Sequence, residues 1–354
     1  MSKLPCDPNP LISIVIPCRN EREHIGDCLR SIFAQDHVPG GFEIILADGM
    51  SDDGTREIVD RIAVRDGRLK VIDNPARITS RGLNEAIRQA RGQYIAIMGA
   101  HARYATDYLR ASLAVSRASG AENVGGSMVC VGASNPEKAI AIAHHSRFSV
   151  GGAHWHNKDY EGLADTVFGG FYRREVFDDI GLFDENLVRN QDDELNLRLT
   201  ARGGRIWHST RIKSWYHPRA SLAALFQQYL QYGYWKVRVM QKHQKLSSVR
   251  HLVPGVFVGS LMALPLFAIL HVAALALFLF LIGLYVGCNL CASLICARQR
   301  GAVLPMLPLV FACYHFGYGL GSICGLLDFV ILKRGPSRAF TQLTRSTTRS
   351  PAQA

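Results

Sequence analysis

The chain has 354 residues and a formal net charge of +11. That length allows one large domain or two smaller ones. The excess of Lys and Arg suits contact with anionic lipid or phosphorylated substrates. It is spread along the chain without an aromatic-basic recognition motif, which argues against nucleic acid. A mixed solvated surface with a positive-inside bias accounts for it equally well. Average hydrophobicity hides a split, because no Asp, Glu, Lys or Arg occurs between Leu252 and Ala297 or from Gly301 to Leu327. The nine cysteines show no disulfide framework, which implies a reducing, cytoplasmic setting for the N-terminal part. Cys288 and Cys291 lack a second pair and read as small packing residues. The polar opening predicts no cleaved leader.

Taken in order, Leu11–Pro17 is a β-branched run closed by proline and predicts a buried strand. Ile25, Leu29, Ile32 and Phe33 recur at helical spacing within Asn20–Gln35. Phe42–Ala47 predicts a second strand that runs into the turn-rich Asp48–Gly54. A helix over Thr55–Ala63, a strand over Leu69–Ile72, a helix over Ser80–Ala90 and a strand over Tyr94–Met98 follow. This alternation predicts an α/β domain with a parallel sheet covered on both faces. Ligands of such sheets lie at the carboxyl ends of the strands. Those ends are Pro17–Glu21, Asp48–Gly54 and Gly99–Arg103.

Asp192–Arg202 predicts a further helix, closed by Gly203-Gly204. Ser221–His243 is aromatic- and Lys-rich and suits a membrane interface. Leu252–Ala297 would be about 69 Å long as a helix. A bilayer core needs about 30 Å, so the run predicts two spans turning near His271. Val303–Leu332 is long enough for a third, with prolines and a glycine series that permit bending or close packing. The expected organisation is a first domain over 1–220, an interfacial helix over 221–250, a transmembrane region over 251–332 and a basic disordered tail over 333–354. Arg298 and Arg300 after the second run, and Lys333, Arg334 and Arg338 after the third, place both of these segments inside. Two full spans with a re-entrant third run satisfy that placement.

Four stretches together resemble the family 2 glycosyltransferases of GT-A fold. They are ISIVIPCRNE (Ile12–Glu21), ADGMSDDGT (Ala47–Thr55), GLNEAIRQARGQYIAIMGAHARY (Gly82–Tyr104) and the Phe168–Trp207 stretch containing FGGFYRREVF and QDDELNLRL. Within the family the resemblance is strongest to ExoA-like membrane-anchored exopolysaccharide transferases. The resemblance implies a nucleotide-sugar donor lined by Pro17, Arg19, Glu21, Asp48 and Asp53, with Arg81 and Asn84 reaching the nucleotide or pyrophosphate. Asp53 also fits a turn and helix cap, and Arg81 and Asn84 fit a plain first helical turn.

A divalent cation, Mg or Mn, would offset the diphosphate charge. The family holds it with a D-x-D motif, which here reads Gly99-Ala100-His101, so the resemblance implies His101 as the remaining metal ligand, although it also fits a satisfied loop histidine. The inverting base falls on Asp192, although an acidic helix start is favoured by the dipole as well. Gly169 and Gly170 belong to the acceptor loop. QYGYW supplies Gln231 and Trp235 to the acceptor at the spacing of a processive-synthase motif, with Tyr234 in place of its Arg. Trp235 is equally an interfacial aromatic. His154 and His156 read as loop polar residues.

The expected activity is transfer of a sugar, with inversion, from a UDP-sugar or similar donor to a lipid-linked acceptor in cell-surface polysaccharide synthesis. The setting is the inner membrane with the catalytic domain cytoplasmic, alongside other polysaccharide-assembly proteins. A polyprenyl-phosphate sugar synthase and a non-catalytic membrane subunit are the alternatives.

Overall fold

The computed structural model describes residues 9–126, 128–245, 248–298 and 301–342. Arg300 and most of the expected basic tail lie outside the described residues. In chain order the elements are β1 (Ile12–Cys18), α1 (Ile25–Phe33), β2 (Phe42–Asp48), α2 (Thr55–Arg65), β3 (Leu69–Asp73), α3 (Thr79–Gln89), β4 (Tyr94–Ile97), β5 (Ala102–Tyr104), α4 (Tyr108–Ser119), β6 (Asn123–Gly125) and β7 (Met128–Cys130). Then come α5 (Asn135–His144), α6 (Arg147–Val150), β8 (Gly162–Leu163), β9 (Phe171–Arg173), α7 (Glu175–Ile180), α8 (Gln191–Ala201), β10 (Ile206–His208) and β11 (Ser214–Tyr216). The helices α9 (Leu222–His243), α10 (Val253–Ala268), α11 (Val272–Ala297), α12 (Leu307–Gly325) and α13 (Arg338–Thr341) complete the chain. Two compact units result. The first takes the residues up to Val129 and Asn157–Tyr216, and the second takes Cys130–His156 and His217 onward.

The first unit is built on an eight-stranded sheet of order β3-β2-β1-β4-β9-β6-β10-β8. Strands β3, β2, β1 and β4 run parallel. The continuous apolar runs of β1 and β2 follow from burial on both faces. Ile12, Ile14, Ile16, Ile44 and Leu46 pack on one side. Val15, Ile45 and Ala47 pack on the other with Leu83, Ala86 and Ile87 of α3. An all-parallel sheet is not what forms, however. Strand β9 enters antiparallel between β4 and β6, and β8 pairs antiparallel with β10. The sheet is therefore mixed, with the doubly wound part at its start.

Helix α1 begins at Ile25 rather than near Asn20. Asn20 takes a left-handed backbone, φ 53°, which starts a turn before the helix can form. The glycine pair before β9 has a similar local cause. Gly169 has φ 70°, and a Cβ there would lie 2.6 Å from the Ile97 carbonyl oxygen. Only glycine lets this loop press against the end of β4, where Ile97 N–H donates to Gly170 O at 2.9 Å.

In the second unit α10 and α11 are separated by the short turn around His271, which precedes α11. Among the described residues, three helical stretches are long and apolar enough to cross a membrane: Val249–Ala268, Val272–Ala297 and Gly301–Ile331. Helix α12 packs along α9 through glycines on both. A Cβ on Gly321 would sit 2.0 Å from Leu230 O, and one on Gly233 2.0 Å from Tyr318 O. The two backbones meet where small residues permit it.

Candidate active site

The loops after β1 and β2 are laced together by side chains. Cys18 and Asp48 face each other in the parallel register, so both strands end at one level. Asn20 N–H donates to Ser51 Oγ at 3.0 Å, and its carboxamide exchanges two bonds with Asp52. Glu21 N–H donates to Thr55 Oγ1 at 2.8 Å. Arg19 donates to the Gly49 and Met50 carbonyls, which folds it back over the second loop. Pro17 lies one residue before the end of β1, opposite Ala47.

Asp48 is buried at the tip of β2, 2% exposed. Its carboxylate accepts from Ser51 Oγ at 2.6 Å and Ser51 N–H at 3.2 Å, with Arg56 Nη1 at 3.6 Å. Ser51 and Arg56 escaped the sequence reading, although both sit in or beside the acidic turn. Asp53 holds the first turn of α2, accepting from Thr55 N–H, Thr55 Oγ1 and Arg22 N–H. Burial works to raise its pKa, but the bonds from Thr55 and Arg22 outweigh it and hold the carboxyl below its ordinary value. The turn expected as the alternative role is therefore formed, one residue before Gly54, which is the N-cap of α2.

Arg81 and Asn84 of α3 turn toward the Phe183–Glu185 segment. Arg81 pairs with Glu185 at 3.4 Å. Asn84 is buried, donates to Phe183 O at 2.9 Å and accepts from Phe183 N–H at 2.9 Å. These bonds anchor the segment before α8.

The Gly99–His101 turn follows β4. Tyr104 Oη accepts from Gly99 N–H at 2.7 Å and donates to its carbonyl at 3.3 Å. His101 Nδ1 lies 3.1 Å from Glu21 Oε1, and its ring meets Tyr216 edge-on at 5.0 Å. Glu21 and His101 are 80 residues apart, and no local pattern announces the pair. The nearby thiols stay protonated. Burial, then the charge of Glu21, pushes Cys28 up to about 12. Burial, Glu21 and Asp48 raise Cys18 as well. Neither is a nucleophile at neutral pH.

Among the described residues no three His, Cys, Asp or Glu side chains cluster to form a metal site. His101 has Nδ1 at the Glu21 carboxylate, and Nε2 is its other ring nitrogen. A Cβ placed on Gly99 would find its nearest neighbours at 3.8 Å and beyond, so the space of the missing acid is open. The residues do not form an all-protein cage, so a cation there would need most of its ligands from the donor diphosphate.

Asn190, with φ 59°, starts α8 and puts Asp192, Asp193 and Glu194 in its first turn. Asp192 is exposed and Asp193 half-buried. Glu194 is fully buried and paired with Arg198 at 2.9 Å. Beneath, Asn196 joins Asn123, Tyr172 and Thr166 in a buried network. Burial, then the charge of Asp192, raises the Tyr172 pKa, so its hydroxyl stays a donor. Of the three acids, Asp192 is the one open to solvent.

Gln231 and Trp235 belong to the second unit and are 0% and 1% exposed. Gln231 Nε2 donates to Gln342 O at 2.5 Å and Trp235 Nε1 to Phe340 O at 3.0 Å. Tyr234 between them stacks on Phe340 at 3.9 Å. His156, expected as a loop polar residue, is buried and meets His144 at 4.3 Å.

A family profile described as glycosyl transferase family 2 matches residues 13–181. The chain is 36% identical to the succinoglycan biosynthesis protein ExoA of Rhizobium meliloti over 243 residues, which is 68% of this chain and 73% of that protein. It is 26% identical to the dolichyl N-acetyl-α-D-glucosaminyl phosphate 3-β-D-2,3-diacetamido-2,3-dideoxy-β-D-glucuronosyltransferase of Methanococcus voltae, covering 90% of this chain and 99% of that one. The mannosyltransferase PcManGT of Pyrobaculum calidifontis, solved with GDP-Man and Mn2+, shares the fold with TM-score 0.58 at 19% identity, covering 90% and 89% of the two chains.

Proposed function

The chain belongs to glycosyl transferase family 2, and from that premise we propose that it moves one sugar, with inversion, from a UDP-sugar to a lipid-linked saccharide at the cytoplasmic face of the inner membrane. The observation that carries the reading is one unit holding a buried Asp48 at the end of β2, a half-buried His101 in the turn after β4 and an exposed Asp192 at the start of α8.

In this reading Asp48 accepts hydrogen bonds from the uracil or ribose, and Pro17 and Arg19 border the same pocket. Asp192 takes the proton of the acceptor hydroxyl. The hydroxyl oxygen forms its bond to the anomeric carbon as the bond to the diphosphate oxygen breaks, and the nucleoside diphosphate leaves with the electron pair. A divalent cation, when bound at His101, offsets the charge that develops on that diphosphate. Gly169 and Gly170 let the acceptor loop approach this end of β4. Helices α10 and α11 anchor the enzyme, and other polysaccharide-assembly proteins receive its product. The activity for which the Methanococcus relative is named concerns a saccharide on a lipid phosphate. That favours a lipid-linked saccharide over bare polyprenyl phosphate as the acceptor here.

The test is transfer by the purified full-length protein from a panel of nucleotide sugars, with lipid-linked saccharide and Mn2+. Transfer from a UDP-sugar, and a donor affinity weakened about 10- to 100-fold in Asp48→Asn by loss of charge-assisted hydrogen bonds, is the expected result. No transfer from any donor would replace this reading with a non-catalytic membrane subunit.

A further inference from the structure

We propose that the Gly151-Gly152 turn, with the guanidinium of Arg147 and the side chain of Arg250 against it, seats the phosphate of the acceptor lipid, whose apolar chain lies along the outward face of α10. The proposal rests on the lipid-linked acceptor read above and gives its phosphate a place within the second unit.

Charge points to this unit first. Its segments Cys130–His156 and His217–Thr344 hold thirteen Lys and Arg against two acids, Glu137 and Asp328. Elsewhere the two signs balance, so the net +11 belongs to this unit. Both acids are already engaged. Glu137 accepts from Ala133 N–H at 2.8 Å and Ser134 N–H at 3.1 Å in the capping box of α5. Asp328 pairs with Arg334 at 2.6 Å and accepts from Tyr234 Oη at 2.7 Å. The counter-charge for so basic a unit comes from outside the protein.

The fold brings Arg147 and Arg250 to one turn. Helix α6 ends in two left-handed glycines, Gly151 with φ 62° and Gly152 with φ 74°, where a side chain would be strained. A Cβ on Gly151 would lie 3.4 Å from Arg250 Cβ, and one on Gly152 3.9 Å from Arg147 Nε and Nη2. Gly151 N–H donates to Arg147 O at 3.0 Å, whereas Gly152 N–H meets no acceptor among the described residues. Arg147 is exposed, and its guanidinium meets no carboxylate among the described residues. A backbone N–H beside a guanidinium is a donor set that suits phosphate. His156, four residues on, adds no charge, because burial, then His144 and His145, then Arg250, hold it well below the ordinary histidine pKa.

Helix α12 fixes both arginines where the charge-free run begins. His315 Nε2 donates to the carbonyl of Phe148, next to Arg147, at 2.8 Å. Tyr318 Oη lies 3.2 Å from Nδ1 of His251, next to Arg250. His315 and Tyr318 are about one turn apart on that helix. Val253 and Val256, just beyond Arg250, are 58% and 65% exposed. A phosphate at the turn therefore has an apolar helix surface beginning beside it, which favours a lipid phosphate over free phosphate. Scattered cations are enough for bulk anionic lipid, whereas this turn is a discrete seat.

The test uses the full-length protein in uncharged detergent, with farnesyl phosphate as the probe and calorimetry as the readout. Arg147→Gln should weaken farnesyl phosphate about 10- to 100-fold, the loss of a charge-assisted pair. Arg147→Lys should fall between, since the charge remains and the fork is lost. Gly152→Ala should weaken binding as well. Arg338→Gln removes the same charge elsewhere in the unit and should change it less than about twofold. UDP affinity should hold in all four. In transfer assays Arg147→Gln should raise the acceptor KM and leave kcat nearly unchanged. Phosphatidylglycerol or inorganic phosphate binding as tightly as farnesyl phosphate overturns the proposal, as do equal losses in Arg147→Gln and Arg338→Gln. Transfer with an acceptor KM indifferent to Arg147 overturns it and leaves the reaction standing. Farnesyl phosphate binding that depends on Arg147, in a protein that transfers no sugar, supports the lipid-phosphate seat and removes only the reaction.

Discussion

The strand-end loops of the first unit and the QYGYW turn of α9 both carry motif residues, yet the fold treats them in opposite ways. At the start of α8 an acid is left in solvent while its neighbour Glu194 is buried against Arg198. In α9, Gln231 and Trp235 are buried and their N–H groups are closed by main-chain carbonyls. A polar group buried on main-chain partners holds structure, whereas one exposed to solvent is within reach of a substrate.

The largest effect that separates the two regions is expected at Asp192. Asp192→Asn keeps size and much of the hydrogen bonding but cannot accept the proton. Turnover should fall by about 100- to 10,000-fold, with donor affinity nearly unchanged. Asp193→Asn should do less, because adjacent side chains on a helix point about 100° apart. The opposite order in kcat would move the base by one residue.

Trp235→Ala should register as stability instead. Emptying so buried a site costs about 3–5 kcal/mol and should lower the unfolding temperature of the detergent-solubilised protein. The acceptor KM of the protein that remains folded should hold. A raised KM at unchanged unfolding temperature would erase the distinction and return Trp235 to the acceptor.

The smallest effect sharpens the comparison within the loops. Asp53→Asn should cost about 1 kcal/mol, the difference between charge-assisted and neutral hydrogen bonds from Thr55 and Arg22, and leave donor affinity in place. The folded pKa of Asp53 is depressed, so its contribution is complete above the ordinary carboxylate pKa and disappears as pH falls through the folded value. Wild type and variant should therefore converge in acid unfolding curves. A gap that persists at low pH would assign the loss to packing.

What the sequence reveals of this divides by distance along the chain. The strands β1 and β2 are legible because burial on two faces writes an unbroken apolar run. The turn near His271 is legible because the apolar stretch before and after it is too long for one crossing. Strand β9 has only three residues, too few for a period, so its antiparallel entry left no trace. The α9–α12 pairing was half legible: glycine spacing announces a close neighbour without saying which helix it is. The Glu21–His101 pair and the Asn84–Phe183 anchor join residues 80 and 99 positions apart, and only the fold brings them together.

The glycine seam of α12 bears on how the chain is made. Only 6% of the α11 window is buried inside the protein, against 39% for the stretch containing α12. Helix α11 can settle in lipid by itself, since its leucine-rich surface needs no protein neighbour. Helix α12 presents bare backbone along the face that α9 covers, and such a face is a poor match for acyl chains. It leaves the ribosome after α9 has already been synthesised, so its partner is waiting when it emerges. A Gly321→Leu chain, which cannot close that seam, should insert α10 and α11 normally and then be cleared by membrane quality control at α12.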